Sequence, residues 1–302
     1  MTDATITTAP DLIRAAPELP DLLPPVKLRG GILGFVRRHP AIAVGGALVL
    51  AMVLIAVFAP YLGTVDPTAL APTRRTREPS AAFWFGTDML GRDIYSRVFY
   101  GARVSLTVGF AVALLASLAG LIIGLVSGFV RWSDGIIMRV MDGMMSIPPI
   151  LLAIALMALT RGSVGNVIIA ITIAEIPRVS RLVRSVVLSL REQPYVDAGV
   201  ASGTRAPMII LRHILPNTLA PLIVQATTSF PIAILAEAGL AYLGLGTQPP
   251  YPSWGLMLRE AQSFLSLNPW FAVFPGGAIA LTVLGLNLLG DGLRDLLDPK
   301  TV

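Results

Sequence analysis

The sequence predicts an all-α integral membrane protein of six transmembrane helices with both termini in the cytoplasm, and three observations carry that prediction. Of 302 residues, 54% are hydrophobic and only 14% charged, whereas an ordinary soluble domain carries about 25% charge. The apolar residues are gathered into long uncharged blocks rather than amphipathic periodicities. The Lys and Arg residues are shared unevenly between the connections, which sets orientation during insertion.

Residues 1–40 read as a cytoplasmic tail, largely disordered. Met1 to Pro25 is rich in Pro and Thr, carries Asp3, Asp11, Glu18 and Asp21, and has no basic residue before Arg14. It lacks the basic start and apolar core of a cleavable signal, so residues 41–62 read as an uncleaved anchor and the first transmembrane helix. A span needs about 20 apolar residues, and Ala41 to Leu62, Val104 to Val130, Ile214 to Ala236 and Trp270 to Gly290 each supply them. Residues 63–100 then form an extracytoplasmic loop. Ile147 to Thr160 and Gly162 to Ala174, on either side of Arg161, are shorter. They reach full length if helix is added through Asp142 to Ser146 and through Glu175 to Ser185. That makes six helices, five of them within a transmembrane domain at 101–290, with 291–302 as a cytoplasmic tail. With the N-terminus inside, the cytoplasmic segments hold 15 of the 23 Lys and Arg residues and the opposite side 8. The basic excess serves the lipid bilayer and calls for no nucleic acid.

The chain lacks the chemistry of an energy source. A phosphate-cradling loop needs Lys directly after Gly, but the two lysines are Lys27 after Val26 and Lys300 after Pro299. There is no cysteine, and His39 and His213 have no carboxylate at metal-ligand spacing, so no catalytic group, cofactor site or metal site is expected in this chain. Glu175 stands one helical turn before Arg178, a spacing for mutual neutralisation. Glu237 falls at the outer boundary of its helix, where solvent or a partner can satisfy it. Ala116, Gly120, Gly124 and Gly128 recur every fourth residue and offer a smooth face for close helix packing, within the chain or between subunits. Pro216, Pro221 and Pro231 mark a bent segment.

The segment from Arg191 to Pro216, REQPYVDAGVASGTRAPMIILRHILP, is unusual for a membrane connection. Pro194 can open a helix, Asp197 sits in its first turn where a carboxylate suits the dipole, and Gly203 can close it in a left-handed cap. Ala198, Gly199, Ala201 and Ser202 leave this helix little bulk, so it can seat in a partner's groove as a rigid body. Tyr195, Val196 and Val200 give it only a thin apolar face, too little for a helix that lies on lipid.

This segment resembles the cytoplasmic EAA motif of ABC importer permeases. Asp197, Ala198 and Gly199 take the EAA positions, Gly203 the glycine, and Leu215 with Pro216 the ending; Asp replaces the usual Glu, and Gly199 the second Ala. FGTDMLGRD from Phe85, YGARVSL from Tyr100, EAGLAYLGLGTQPPYPSWGLM from Glu237 and GDGLRDLLDPK from Gly290 are similar to segments of the C-type permease of dipeptide and oligopeptide importers, over roughly residues 40–300. The resemblance implies a type I importer fold and a subunit that pairs with a B-type permease. It also implies an extracytoplasmic substrate-binding protein and two ATP-binding subunits, or one fused ATPase, which bind ATP and Mg. The segment 195–217, with Tyr195, Val196, Asp197, Ala198, Gly199, Gly203, Arg212, Leu215 and Pro216, would transmit ATPase motion to the helices. Peptides are the implied cargo. Nickel complexes, heme or another small solute are the alternatives within the family, and a secondary transporter lies outside it, though the repeats and buried charge relay of one are not found.

Overall fold

In the computed structural model the described residues are 32–160 and 162–297, and they are mostly helical, with one long connection over residues 59–93. The tail expected to be disordered lies outside them as far as residue 31, while Ile32–Arg38 is a short helix, α1. The remaining described residues form a second unit, beginning at His39. Its first span, α2 (Pro40–Phe58), opens on Pro40, which fits a helix start because its missing N–H is not needed there. Only Gly45 and Ala56 of α2 are buried, as suits a lipid-facing anchor.

The second span, α3 (Ile94–Phe129), is longer than its apolar block. Asp93 caps it by accepting the Ser96 N–H, and nearly three turns carrying Arg97 and Arg103 precede the uncharged stretch. The loop expected over 63–100 therefore ends at Asp93. Arg103 is occupied as well: its guanidinium donates to the Ala56 and Val57 carbonyls and satisfies the open end of α2.

The third expected span is where the structure departs most from expectation. Added helix through Asp142 to Ser146 does form, in α4 (Arg131–Met145), but it does not continue into α5 (Pro149–Ala158), and the two meet at 86°. Pro148 and Pro149 account for the break. Residues before proline are pushed out of the helical region, and the rings remove the N–H groups that would carry the helix on. In contrast α6 (Val164–Arg191) runs unbroken through the predicted extension, Glu175 to Ser185. Among the described residues four helices are long and apolar enough to cross a membrane alone, and the bent pair raises this to five. The arginines of α6 lower its hydropathy, so it is not among them.

Two short helices, α7 (Pro194–Ala201) and α8 (Ala206–Ile209), a π-helical turn at Ile210–Ile214 and α9 (Leu215–Tyr242) follow. A helix not foreseen from sequence, α10 (Trp254–Ala261), precedes α11 (Trp270–Leu297). The supposed C-terminal tail from residue 291 is thus helical to Leu297.

The expected small-residue face of α3 packs within the chain. A Cβ at Gly120, Gly124 or Gly128 would stand 2.6 to 2.7 Å from the Cβ of Val179, Val183 or Val187 on α6, closer than packed carbon atoms approach. Ala116 is fully buried in the same cluster. Glycine is required there because the α6 valines occupy the space a side chain would take.

Candidate functional site

The segment singled out from sequence lies at the end of the bundle where α3 and α6 terminate and α9 begins, here called the coupling end. Pro194 is the first residue of α7, and Asp197 stands in its first turn. The helix stops in a paired turn in which Gly203 N–H donates to Val200 O at 2.9 Å and Thr204 N–H to Gly199 O at 3.1 Å. Gly203 has φ +75°, the left-handed conformation this closure demands and glycine adopts at little cost. Beyond the turn the chain re-enters helix. In the π turn Leu215 N–H reaches back to Ile210 O. The widening has a local cause, because the ring of Pro216 would clash with the carbonyl four residues earlier in an ordinary turn.

Of α7 only Val196 is buried, at 2% exposure, in a cluster with Val187, Ile209, Ile214 and Leu222. Tyr195, Asp197, Ala198 and Gly203 are exposed, as are Arg212 and Pro216. Gly199 and Leu215 are half-buried, and a Cβ at Gly199 would lie at ordinary contact distance, 3.9 Å, from His213 Nε2. A cavity of about 490 Å³ lies beside the helix, lined by Phe129, Arg131, Arg191, Val196, Asp197 and Val200. Its walls are tied down by Arg191, which donates to Gly128 O at the end of α3, and by Arg184, whose guanidinium pairs in two-pronged fashion with Asp134 of α4 at 2.5 and 2.6 Å. A rigid floor thus carries a small, exposed helix. Such an arrangement can transmit a push. Among the described residues no group of His, Asp and Glu is placed to hold a metal ion.

At the opposite end, α10 and the connections around it form a collar over α3, α9 and the start of α11. Four charged groups meet there, three from residues 88–97 and the fourth, Glu260, from far along the chain. Arg92 reaches Asp88 at 2.6 Å and Glu260 at 2.8 Å, and Arg97 reaches Glu260 at 2.7 Å. Sequence reading missed this network because Glu260 lies 168 residues from Arg92. The usable signal was Arg97, a charge inside an otherwise apolar helix. Glu175 and Arg178 do pair, at 3.4 Å. Glu237 is different from expectation: it is wholly buried rather than satisfied by solvent or a partner, and it accepts from Ser105.

Residues 116–302 match the family described as binding-protein-dependent transport system inner membrane component. The chain belongs to that family. A probable peptide ABC transporter permease protein of Sinorhizobium fredii is 50% identical over 271 residues, covering 89% of this chain and 92% of the relative. A dipeptide transport system permease protein of Alkalihalophilus pseudofirmus is 48% identical and covers 88% of each, and a probable D,D-dipeptide transport system permease protein of Escherichia coli is 42% identical over 270 residues. Among solved structures, a chain of the MetNI methionine ABC transporter in an inward-facing conformation superposes with a TM-score of 0.55 at 18% identity, covering 67% of this chain and 96% of that one. It shares the fold. The exposed α7 and the buried network thus sit in a multi-pass inner membrane component of a transport system.

Proposed function

We propose that this chain is a permease subunit of an ATP-driven peptide importer, with six membrane-crossing segments, both termini in the cytoplasm and the collar on the outer face. The observation that carries the reading is the construction of the coupling end. A compact helix with one buried residue, stopped by a left-handed glycine, is joined through a π turn directly to a transmembrane helix. The names of the relatives support peptides as the cargo.

In this reading α7 seats in an ATPase subunit, where ATP and Mg²⁺ are bound, and the partner across the translocation path is a B-type permease. ATP binding biases an equilibrium between two arrangements of the helices, and the segment 195–217 is where that bias enters this chain. An external binding protein delivers the peptide to the collar. Nothing in this chain performs chemistry on the cargo; its contribution is mechanical.

The test uses the complete complex in lipid vesicles. Asp197→Ala and Gly203→Val should abolish ATP hydrolysis stimulated by loaded binding protein while the subunit remains inserted. Full stimulation in both variants would overturn the coupling role. Uptake compared among di-, tetra- and longer peptides, heme and nickel chelates tests the cargo, with peptides expected to be carried.

A further inference from the structure

α8, the π turn and α9 form one continuous helical rod of 37 residues, Ala206–Tyr242, about 55 Å long at 1.5 Å per residue. It starts next to α7 and ends under the collar, and Pro221 and Pro231 lie within it without interrupting the helix. A rod of this length can carry a displacement from one end of the bundle to the other only if its far end is gripped.

The grip is visible. Gly255 at the start of α10 lies so close to the rod that a Cβ there would stand 2.5 Å from Ala238 Cα, and a Cβ at Gly246 would stand 2.5 Å from Ala241 Cα. Next to Ala238 stands Glu237, 0% exposed. Ser105 of α3 donates to its Oε2 at 3.2 Å. Ser105 Oγ in turn accepts from the Trp254 N–H, at the start of α10, at 3.4 Å. The hydroxyl has one proton to give, and it goes to Glu237. Ser253, the cap of α10, is held within the collar, where it accepts from the Thr247 hydroxyl at 2.8 Å and from the Leu256 N–H at 3.3 Å. Glu237, Ser105 and Trp254 therefore form a relay joining the rod, α3 and the collar, and a side chain that cannot accept would strand the buried Ser105 hydroxyl.

We infer that Glu237 is a positioning residue that clamps the 244–256 collar segment to the far end of the rod, so that movement of the coupling segment moves the collar. The inference rests on the importer reading for the direction of the signal, while the clamp itself is a statement about this fold.

Glu237→Leu removes the acceptor at similar volume, and Glu237→Gln restores a carbonyl oxygen. Both are compared with the unmodified chain in the full complex in lipid vesicles. Hydrogen–deuterium exchange is read over residues 244–256, and ATP hydrolysis is measured with and without loaded binding protein. Loss of buried hydrogen bonds should raise exchange in Glu237→Leu about tenfold, with stimulated hydrolysis falling by a similar factor and basal hydrolysis kept within about twofold. Glu237→Gln should restore both readings. Ser105→Ala, which removes the middle of the relay, should raise exchange by a similar factor and serves if Glu237→Leu does not assemble. Exchange at the unmodified level in Glu237→Leu or in Ser105→Ala overturns the clamp, as does a Gln variant no better than Leu. Absence of stimulation in the unmodified complex would instead count against the importer reading, and exchange would still decide the clamp.

Discussion

At the collar, Asp88, Arg92, Arg97 and Glu260 meet as a mostly buried ion network drawn from segments far apart in sequence. At the coupling end, α7 is closed by hydrogen bonds between near neighbours and anchored by one buried side chain, Val196. Burial explains the contrast. Charges removed from water must be paired, so the collar is fixed by partners that cannot be lost singly. An exposed helix of small residues has no such obligation. One end is fixed by buried ion pairs, and the other by a single apolar side chain and its own turn.

The contrast can be broken at either end. Arg92→Leu should have the largest effect, about 3–5 kcal/mol, because it removes the short ion pairs to Asp88 and Glu260 and leaves both carboxylates to Arg97 alone, which is 3.7 Å from Asp88. Thermal unfolding of the solubilised protein measures it, and an unchanged midpoint would mean that the collar is no more firmly made than the coupling segment. Gly124→Val comes next, at about 1–3 kcal/mol of overpacking against Val183, read in the same assay. The smallest effects belong to α7. Gly199→Ala should stabilise by about 0.5–1 kcal/mol, since helix favours alanine and the space beside His213 accepts a methyl group. Gly203→Ala should cost about 1 kcal/mol through its left-handed backbone alone, as no atom lies within 4 Å of the added Cβ. A Gly203→Ala loss as large as that of Arg92→Leu would erase the distinction between the two ends.

Much of this was legible beforehand. The apolar blocks located α2, the body of α3, α9 and α11, because a bilayer span needs an uncharged stretch whatever its neighbours are. Pro194 and Gly203 bounded α7 for equally local reasons. The readings failed where charge or proline acts through context. Arg97 and Arg103 hid nearly three turns of α3, since an arginine looks like a loop residue until its partner, Glu260 or the end of α2, is known. Pro148 and Pro149 turned an expected continuous span into two helices at 86°. Glu237 was placed near the boundary by hydropathy, which counts residues along the chain but not the collar folded over it.

What the sequence determined by itself was therefore the solvent of this protein, the positions of its longest helices and the small, glycine-stopped helix at residues 194–203. Each depends on composition or on neighbours within one turn. Tertiary structure alone decided that the glycine stripe of α3 receives the valines of α6, that Glu260 reaches Arg92 and Arg97 in the collar, and that Glu237 is buried against Ser105. Those contacts join residues separated by whole helices, and no local preference specifies which of many possible partners a buried surface will meet.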